Sequence, residues 1–458
     1  MEHIFRAYDI RGIWNEDIDV DICLDIGKGL GTLMRDELNM GRAVVGYDIR
    51  RTSPAFHSAL VSGLLSTGVD VISTGKSAFG VTLHAGMASE VDVSCFITAS
   101  HLEPEWNGLK MYYGNGVGFP EENIDKIRDI VVEKEFRCEN WRNAGELSEL
   151  DHLGTYIDFW KERYLPLLEH SGISAGVDCG GGAMSLSAVA VLRACGIRVL
   201  GVNSEEDPYF SSRPSEPKPE NLGDLSDQVL SKGADFGVAF DGDGDRAVIC
   251  DEKGDFLGTD RLGILIAKNL IQENQGGLVL ANVESSMAVE DVLEPLGATV
   301  KRIKVGHTYL TMEAERTGAI FGVERSGHLI VPHHVLFDDA ITAPLEVARM
   351  LTKEERPLSE LASEVPCYGS DASAFRCSDR NKFEVVSKLT RELRERFGKV
   401  NDMDGVRVNM EEGWVLIRCS NTSPVIRMTV EARKREDLER IRSEFGELLK
   451  RRIEEIDG

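Results

Sequence analysis

One pattern recurs three times along the 458-residue chain and limits its fold more than any other feature. A short β-branched run ends in a polar turn. An apolar stretch with helical spacing follows, then a glycine and a second β-branched run. The copies span residues 42–75 (RAVVGYDIR to GVDVISTG), 174–203 (SAGVDCGGG to GIRVLGVN) and 277–306 (GLVLANVESS to GATVKRIKVG). Each reads as a β-α-β unit, so most of the chain is expected to be α/β. The turn after the first run carries Asp48, Asp178 and Asn282 in the three copies. In an open α/β sheet such turns lie at the C-terminal strand edge, where ligands bind.

The end of the chain departs from this rhythm. Strand-like runs Gly405–Val408, Val415–Ile417 and Ile426–Val430 precede a helix with Leu438, Ile441, Phe445, Leu448 and Ile453 on one stripe. That pattern predicts a smaller C-terminal α+β domain. A length of roughly 150 residues per domain allows three or four domains in all. Pro208, Pro214, Pro217 and Pro219 break any helix and predict a long loop. The polar, acidic stretch Asn143–Asp151 is expected close to the first domain boundary.

Charge narrows the choice of partners. Lys and Arg number 52 against 77 Asp and Glu, a net charge of −25. That field repels nucleic acid and anionic membranes, so neither is expected as a partner. A phosphate can still bind where a few arginines and backbone amides converge. No apolar run reaches the ~18 residues of a membrane span, and MEHIFR, with no basic region leading into an apolar stretch, is not expected to open a signal peptide. Nine scattered cysteines never form C-x-x-C. They are expected to be small thiols in a reducing cytoplasm, not a disulfide framework or a zinc site.

The strongest chemical signal is DGDGDR, residues 241–246. Three carboxylates so close repel one another unless a cation sits among them, and glycines let the backbone bring them together. All-oxygen ligands suit Mg²⁺ or Ca²⁺. Glu252 stands where an EF-hand loop starting at Asp241 would end. Arg246 occupies the position that needs glycine, and the flanks read as strands, so that loop is not expected. TASHLEPEWNGLK (98–110) follows the strand-like run Val91–Ile97 and places Ser100 beside His101, where a serine can be a covalent nucleophile or phosphoryl carrier and is otherwise an ordinary turn residue. Lys110 and His101 can add charge or protons, the plain alternative for Lys110 being a surface lysine. GVERSGH (322–328) groups Glu324, Ser326 and His328, which suits several sugar hydroxyls. RCSNTSPVIR (418–427) offers Arg418, Ser420, Asn421, Thr422 and Arg427 as a phosphate cradle. FRAYDIRG (5–12) adds Arg6 and Arg11, either as snorkelling side chains or as a second anion contact.

These five motifs, in this order, resemble the α-D-phosphohexomutase family from Phe5 to about Ala432. FRAYDIRG, FDDAI (337–341) and VGHTYL (305–310) resemble its phosphomannomutase/phosphoglucomutase branch. The resemblance implies three similar α/β domains with mixed sheets and a C-terminal lid around a central cleft. Their expected roles are phosphoserine (1–150), metal (151–252), sugar (253–366) and phosphate (367–458). It implies a Ser100 phosphoserine and Mg²⁺ on Asp241, Asp243, Asp245 and a phosphoserine oxygen. Glu324 and Ser326 would hold sugar hydroxyls. Arg418, Ser420, Asn421, Thr422 and Arg427 would hold the phosphate that does not react. Tyr8, Arg11, Lys110, Arg246, His307 and His328 would line the cleft, with Lys110 and His328 as proton-transfer candidates. The implied reaction moves a phosphoryl group between the 1- and 6-positions of mannose or glucose through a hexose 1,6-bisphosphate, which also serves as activator. An amino-sugar phosphate is the alternative substrate, and a non-catalytic sugar-phosphate sensor a more distant one. The expected particle is a cytoplasmic monomer or small homo-oligomer. Several positions depart from the common pattern: Leu102 and Glu103 replace Asn-Pro, Val323 replaces a glycine, and Ala78-Phe79-Gly80 replace Pro-Thr-Pro. Thr422-Ser423-Pro424 replace Thr-Glu-Pro, and Arg325 lies at a position that varies with substrate class.

Overall fold

The computed structural model describes residues 2–420 and 424–457. Its strands form four separate sheets, three mixed and one antiparallel. The first sheet contains β1 (Asp9–Ile13), β2 (Arg42–Tyr47), β3 (Asp70–Lys76), β4 (Val93–Ile97), β5 (Trp106–Tyr113) and β6 (Leu147–Glu149), in the order β1-β5-β4-β2-β3-β6. β4, β2, β3 and β6 run parallel, while β5 and β1 are antiparallel to their neighbours. The run VSCFI of β4 is buried at every residue, as expected for a central strand covered on both faces. Asp19 caps the helix Val20–Asp36 by accepting the amide of Ile22 at 2.8 Å.

The second sheet holds β7 (Ser174–Asp178), β8 (Arg198–Val202), β9 (Phe236–Phe240), β10 (Ala247–Asp251) and β11 (Phe256–Leu257), ordered β11-β10-β9-β7-β8. The third holds β12 (Gly277–Asn282), β13 (Ala298–Ile303), β14 (Phe321–Val323) and β15 (Leu329–Ile330), ordered β13-β12-β14-β15. The three repeats appear as parallel pairs, β2 with β3, β7 with β8 and β12 with β13. Asp48 directly follows β2, while Asp178 and Asn282 are the last residues of β7 and β12. β9 and β10 form an antiparallel pair joined by residues 241–246, so strands, not helices, flank the acidic loop.

The fourth sheet is β16 (Gly369–Arg376), β17 (Val406–Asn409), β18 (Gly413–Cys419) and β19 (Val425–Ala432), ordered β16-β19-β18-β17. The helix Arg435–Asp457 buries Ile441, Phe445 and Leu448 against it. The edge strand β16 is new relative to the sequence reading. Its run GSDASAFR has an exposed face and no apolar alternation strong enough to announce a strand.

The units share apolar cores. One core merges the second and third units with Ile49, Ala78 and Val81 of the first. Phe79, Phe96 and Tyr112 pack on Val335 and Phe337 of the third unit. Trp414 and Leu416 of the fourth sheet bury Val283. The link between the first two units is by contrast open, with the Trp141 side chain 83% exposed. Among the described residues, no helix is long and apolar enough to cross a membrane.

Candidate active site

Sheet topology brings the separate motifs together. Ser100 follows β4 and is fully buried, with the left-handed backbone angle φ +51°. Its hydroxyl donates to Asp241 Oδ2 at 2.9 Å and lies 3.3 Å from His101 Nδ1. The other oxygen of Asp241 accepts the amides of Gly244, Asp245 and Arg246 at 3.0, 3.2 and 3.2 Å, which folds the loop around it. Gly244 has φ +91°, and a Cβ there would lie 2.4 Å from Met184 Sδ, so the loop needs glycine at this point.

Asp241, Asp243 and Asp245 are buried, and ligand oxygens of all three lie within 4.8 Å of one another. The Lys110 ammonium, from β5, donates to Asp243 Oδ2 at 2.8 Å and to Asp245 Oδ2. Oδ1 of Asp243 and Oδ1 of Asp245 are buried without a hydrogen-bond partner among the described residues. Burial, then repulsion by Asp245 and Asp243, pushes the Asp241 pKa well up. Burial and Asp245 also push Asp243 up. Burial opposes the charge on Asp245, but Lys110, His328 and Arg246 outweigh it and hold this pKa well down. An all-oxygen, anionic pocket with two unpartnered carboxylate oxygens fits a hard divalent cation. Burial disfavours the Lys110 charge, yet Asp243 and Asp245 more than offset it and raise the pKa. Lys110 is thus a fixed cation.

The third unit brings a histidine pair. The rings of His307 and His328 stack at 5.4 Å, and Tyr8 meets His307 edge-on at 5.2 Å. His328 Nε2 accepts from Arg246 Nε at 2.9 Å, so its proton sits on Nδ1 and is donated to Asp338 at 2.5 Å. His307 Nδ1 pairs with the Tyr112 hydroxyl at 2.8 Å. Burial lowers the His307 pKa to about 4. Burial, with Arg246 and Arg11, pushes His101 down to about 2. Glu324 is buried, and its Oε1 accepts the Gly306 amide at 2.6 Å and Asn282 Nδ2 at 3.2 Å. Burial raises its pKa. Ser326 lies exposed on the same loop, its hydroxyl 3.5 Å from Glu324 Oε2.

Arg11 sits on β1 with a guanidinium nitrogen 2.6 Å from Asp9. On the fourth sheet Arg418 and Arg427 face each other across β18 and β19. Two like charges directly opposite are unfavourable without an anion between or beside them. Arg418 is turned toward the third unit, donating to Glu284 at 2.8 Å. Ser420 directly follows β18 and is buried, while Asn421 and Thr422 lie outside the described residues.

Sequence reading did not single out Arg50, Tyr112, Glu284 or Asp338 as site residues, and placed Asn282 only generally, at a strand edge where ligands bind. Asp338 was visible inside FDDAI, where adjacent aspartates precede a helix. Arg325, read as a sugar-loop position, donates instead to Ser370 of β16 at 2.9 Å and ties the third unit to the fourth.

Known proteins agree with this architecture along the whole chain. Residues 2–137, 154–254 and 258–368 match the phosphoglucomutase/phosphomannomutase alpha/beta/alpha domains I, II and III. Residues 374–448 match the C-terminal domain of the same family. The chain belongs to the α-D-phosphohexomutase family of enzymes. It is 35% identical over 460 residues to a probable phosphoglucosamine mutase of Methanopyrus kandleri, covering 100% of both chains. It is also 35% identical over 442 residues to a phosphoglucomutase/phosphomannomutase of Thermococcus kodakarensis, covering 95% of this chain and 96% of the relative. A crystal structure of a phosphoglucomutase/phosphomannomutase family protein from Burkholderia thailandensis superposes with a TM-score of 0.90 at 27% identity, covering 99% and 98% of the two chains.

Proposed function

We propose that this enzyme interconverts the 1- and 6-phosphates of mannose and glucose through a phosphoserine at Ser100 and a bound hexose 1,6-bisphosphate. The observation that carries the reading is the hydrogen bond from the Ser100 hydroxyl to Asp241, between one unit's strand end and the acidic loop of the next. In the forward step the Oγ–phosphorus bond of phosphoserine breaks and a bond forms from phosphorus to the free 6-hydroxyl of a hexose 1-phosphate. The hydroxyl proton leaves to a base in the cleft. In the second step the bisphosphate, turned around, returns its 1-phosphoryl group to Ser100.

Phosphoryl transfer depends on alignment and on neutralised charge. Asp241, Asp243 and Asp245 would hold Mg²⁺ with an oxygen of the carried phosphate, and the ion would offset charge on the transferring group. Lys110, Arg11 and Arg246 supply fixed positive charge beside it. His328 is the proton-transfer candidate preferred to the charged Lys110: Asp338 holds its tautomer, and its Nε2 takes a proton once Arg246 Nε releases it. Neutral His307 and His101 line the cleft. Glu324 and Ser326 accept and donate to sugar hydroxyls. Arg418, Arg427, Ser420, Asn421 and Thr422 take the distal phosphate, with Tyr8 at the cleft wall. In this reading the units run 1–150, 151–252, 253–366 and 367–458, and the protein works in the cytoplasm.

A second reading has the same chemistry with glucosamine phosphate. The Methanopyrus kandleri relative favours it, at an identity equal to that of the Thermococcus kodakarensis relative. Phosphorus NMR of a mixture of mannose, glucose, glucosamine and N-acetylglucosamine 1-phosphates, with Mg²⁺ and a trace of hexose 1,6-bisphosphate, separates the two. Early 6-phosphates of mannose and glucose support the first reading. Conversion of an amino sugar alone replaces it with the second. Inorganic phosphate without any isomerised sugar overturns both.

A further inference from the structure

The proline-rich loop 208–219 has no part in the chemistry above, yet it reaches the carrier serine. The Ser215 hydroxyl donates to the Ser100 carbonyl at 3.0 Å. A guanidinium nitrogen of the fully buried Arg50 donates to the same oxygen at 2.8 Å. Both acceptor sites of that carbonyl are therefore used. Arg50 also donates to the carbonyls of Leu102, Glu103 and Trp106, so one side chain gathers the loop after Ser100. Its charge is balanced by Asp48, at the end of β2, with Nε to Oδ2 at 3.0 Å. The ring of Phe210, from the proline-rich loop, lies 5.2 Å from the Arg50 guanidinium.

The same loop grips the acidic turn. Arg213 pairs with Asp178 at 3.0 Å and donates to the carbonyl of Phe240, the residue before Asp241, at 2.7 Å. A Cβ on Gly242 would stand 2.4 Å from both the Ser100 carbonyl and Ser215 Oγ. The carrier loop and the acidic loop thus meet at a joint that the proline-rich loop closes.

A non-glycine residue holds φ +51° only where its surroundings enforce it. We propose that Arg50 and Ser215 are positioning residues for the carrier serine: by sharing its carbonyl oxygen they hold Ser100 left-handed, with its hydroxyl on Asp241. The prolines stiffen the segment that delivers Ser215, and Arg213 sets the opposing loop. This inference rests on Ser100 being the phosphoryl carrier.

The test uses the full chain with Ser215→Ala, Arg50→Lys and Ser100→Ala. Losing one hydroxyl should lower kcat roughly tenfold with KM for hexose 1-phosphate nearly unchanged, because alignment, not binding, is lost. Arg50→Lys, which keeps the charge but not the fork, should lower kcat further. Single-turnover return of phosphate from the phosphorylated protein to sugar should slow by the same factors. Thermal midpoint, measured in parallel, should stay near the parent value for Ser215→Ala, and that variant alone decides the matter if Arg50→Lys does not fold. Parental kcat in Ser215→Ala, or a loss matched by the unfolded fraction, overturns the inference. Full mutase activity in Ser100→Ala overturns the carrier reading instead.

Discussion

At the scale of single residues, the site is made by side chains whose two ends do different work. Asp241 folds its own loop with one oxygen and meets Ser100 with the other. His328 is held by Arg246 on one ring nitrogen and by Asp338 on the other. Replacing Asp338 by Asn leaves the shape but removes the negative charge and offers an amide donor in place of one oxygen, so the tautomer with the proton on Nδ1 is no longer enforced. Asp338→Asn is expected to lower kcat by roughly ten- to a hundredfold, with a shifted pH–rate profile and little change in thermal midpoint. If Arg427 grips the distal phosphate as proposed, Arg427→Ala is expected to remove a charge-assisted contact of about 1.5–3 kcal/mol, raising KM for hexose phosphate roughly ten- to a hundredfold and largely sparing kcat. Steady-state kinetics on each variant checks both. The three aspartates stood out in the sequence because alternating Asp-Gly is locally unusual, whereas Ser100, a common kind of turn serine, gained weight only from a metal motif elsewhere in the chain. Asp338 showed only as part of FDDAI and Arg50 not at all as a site residue, because a charged residue near a strand end gives no local sign that it will be buried. Only the partner strands, far away in sequence, decide that.

At the scale of elements, the repeats were legible because each keeps strand, helix and strand within about thirty residues, and the hydrophobic period changes at each boundary. β16 was not, because its pairing with β19 replaces the apolar alternation that would mark it. The acidic loop shows what an element must supply beyond residue type. Its turn needs the left-handed backbone of Gly244 and the space that Met184 fills. Gly244→Ala places a Cβ in both, a strain of about 1–3 kcal/mol. The variant is expected to fold and to need roughly tenfold more Mg²⁺ for half-maximal rate, read from activity against metal concentration. An unchanged Mg²⁺ curve would detach this turn from the cation.

At the scale of the whole molecule, the chain is strongly acidic, yet basic side chains converge beside the acidic loop of the site. A chain of −25 gathers Arg11, Lys110, Arg246 and the facing Arg418 and Arg427 on elements that line the proposed cleft. The junction of the first two units carries a pH dependence of its own. His84 Nδ1 and His152 Nε2 are 2.8 Å apart, packed against Tyr156 and Phe159. Burial, then His152 and Arg163, lowers the His84 pKa to about 4, so the folded state binds fewer protons than the unfolded one between 6.5 and 4. The stability this contributes, up to about 3 kcal/mol, is present above pH 6.5 and lost as pH falls through that window. Denaturant melts at pH 7.5 and 4.5 should show the loss, and His84→Phe should lose less over the same interval. The open stretch between the first two units has a further consequence. Ser100 and Asp241 are 141 positions apart, yet they touch. If the chain is cut near the exposed Trp141, turnover becomes a property of an encounter. At low concentration its rate should scale with the product of the two fragment concentrations, and it should become first order again once the pieces are saturated with each other.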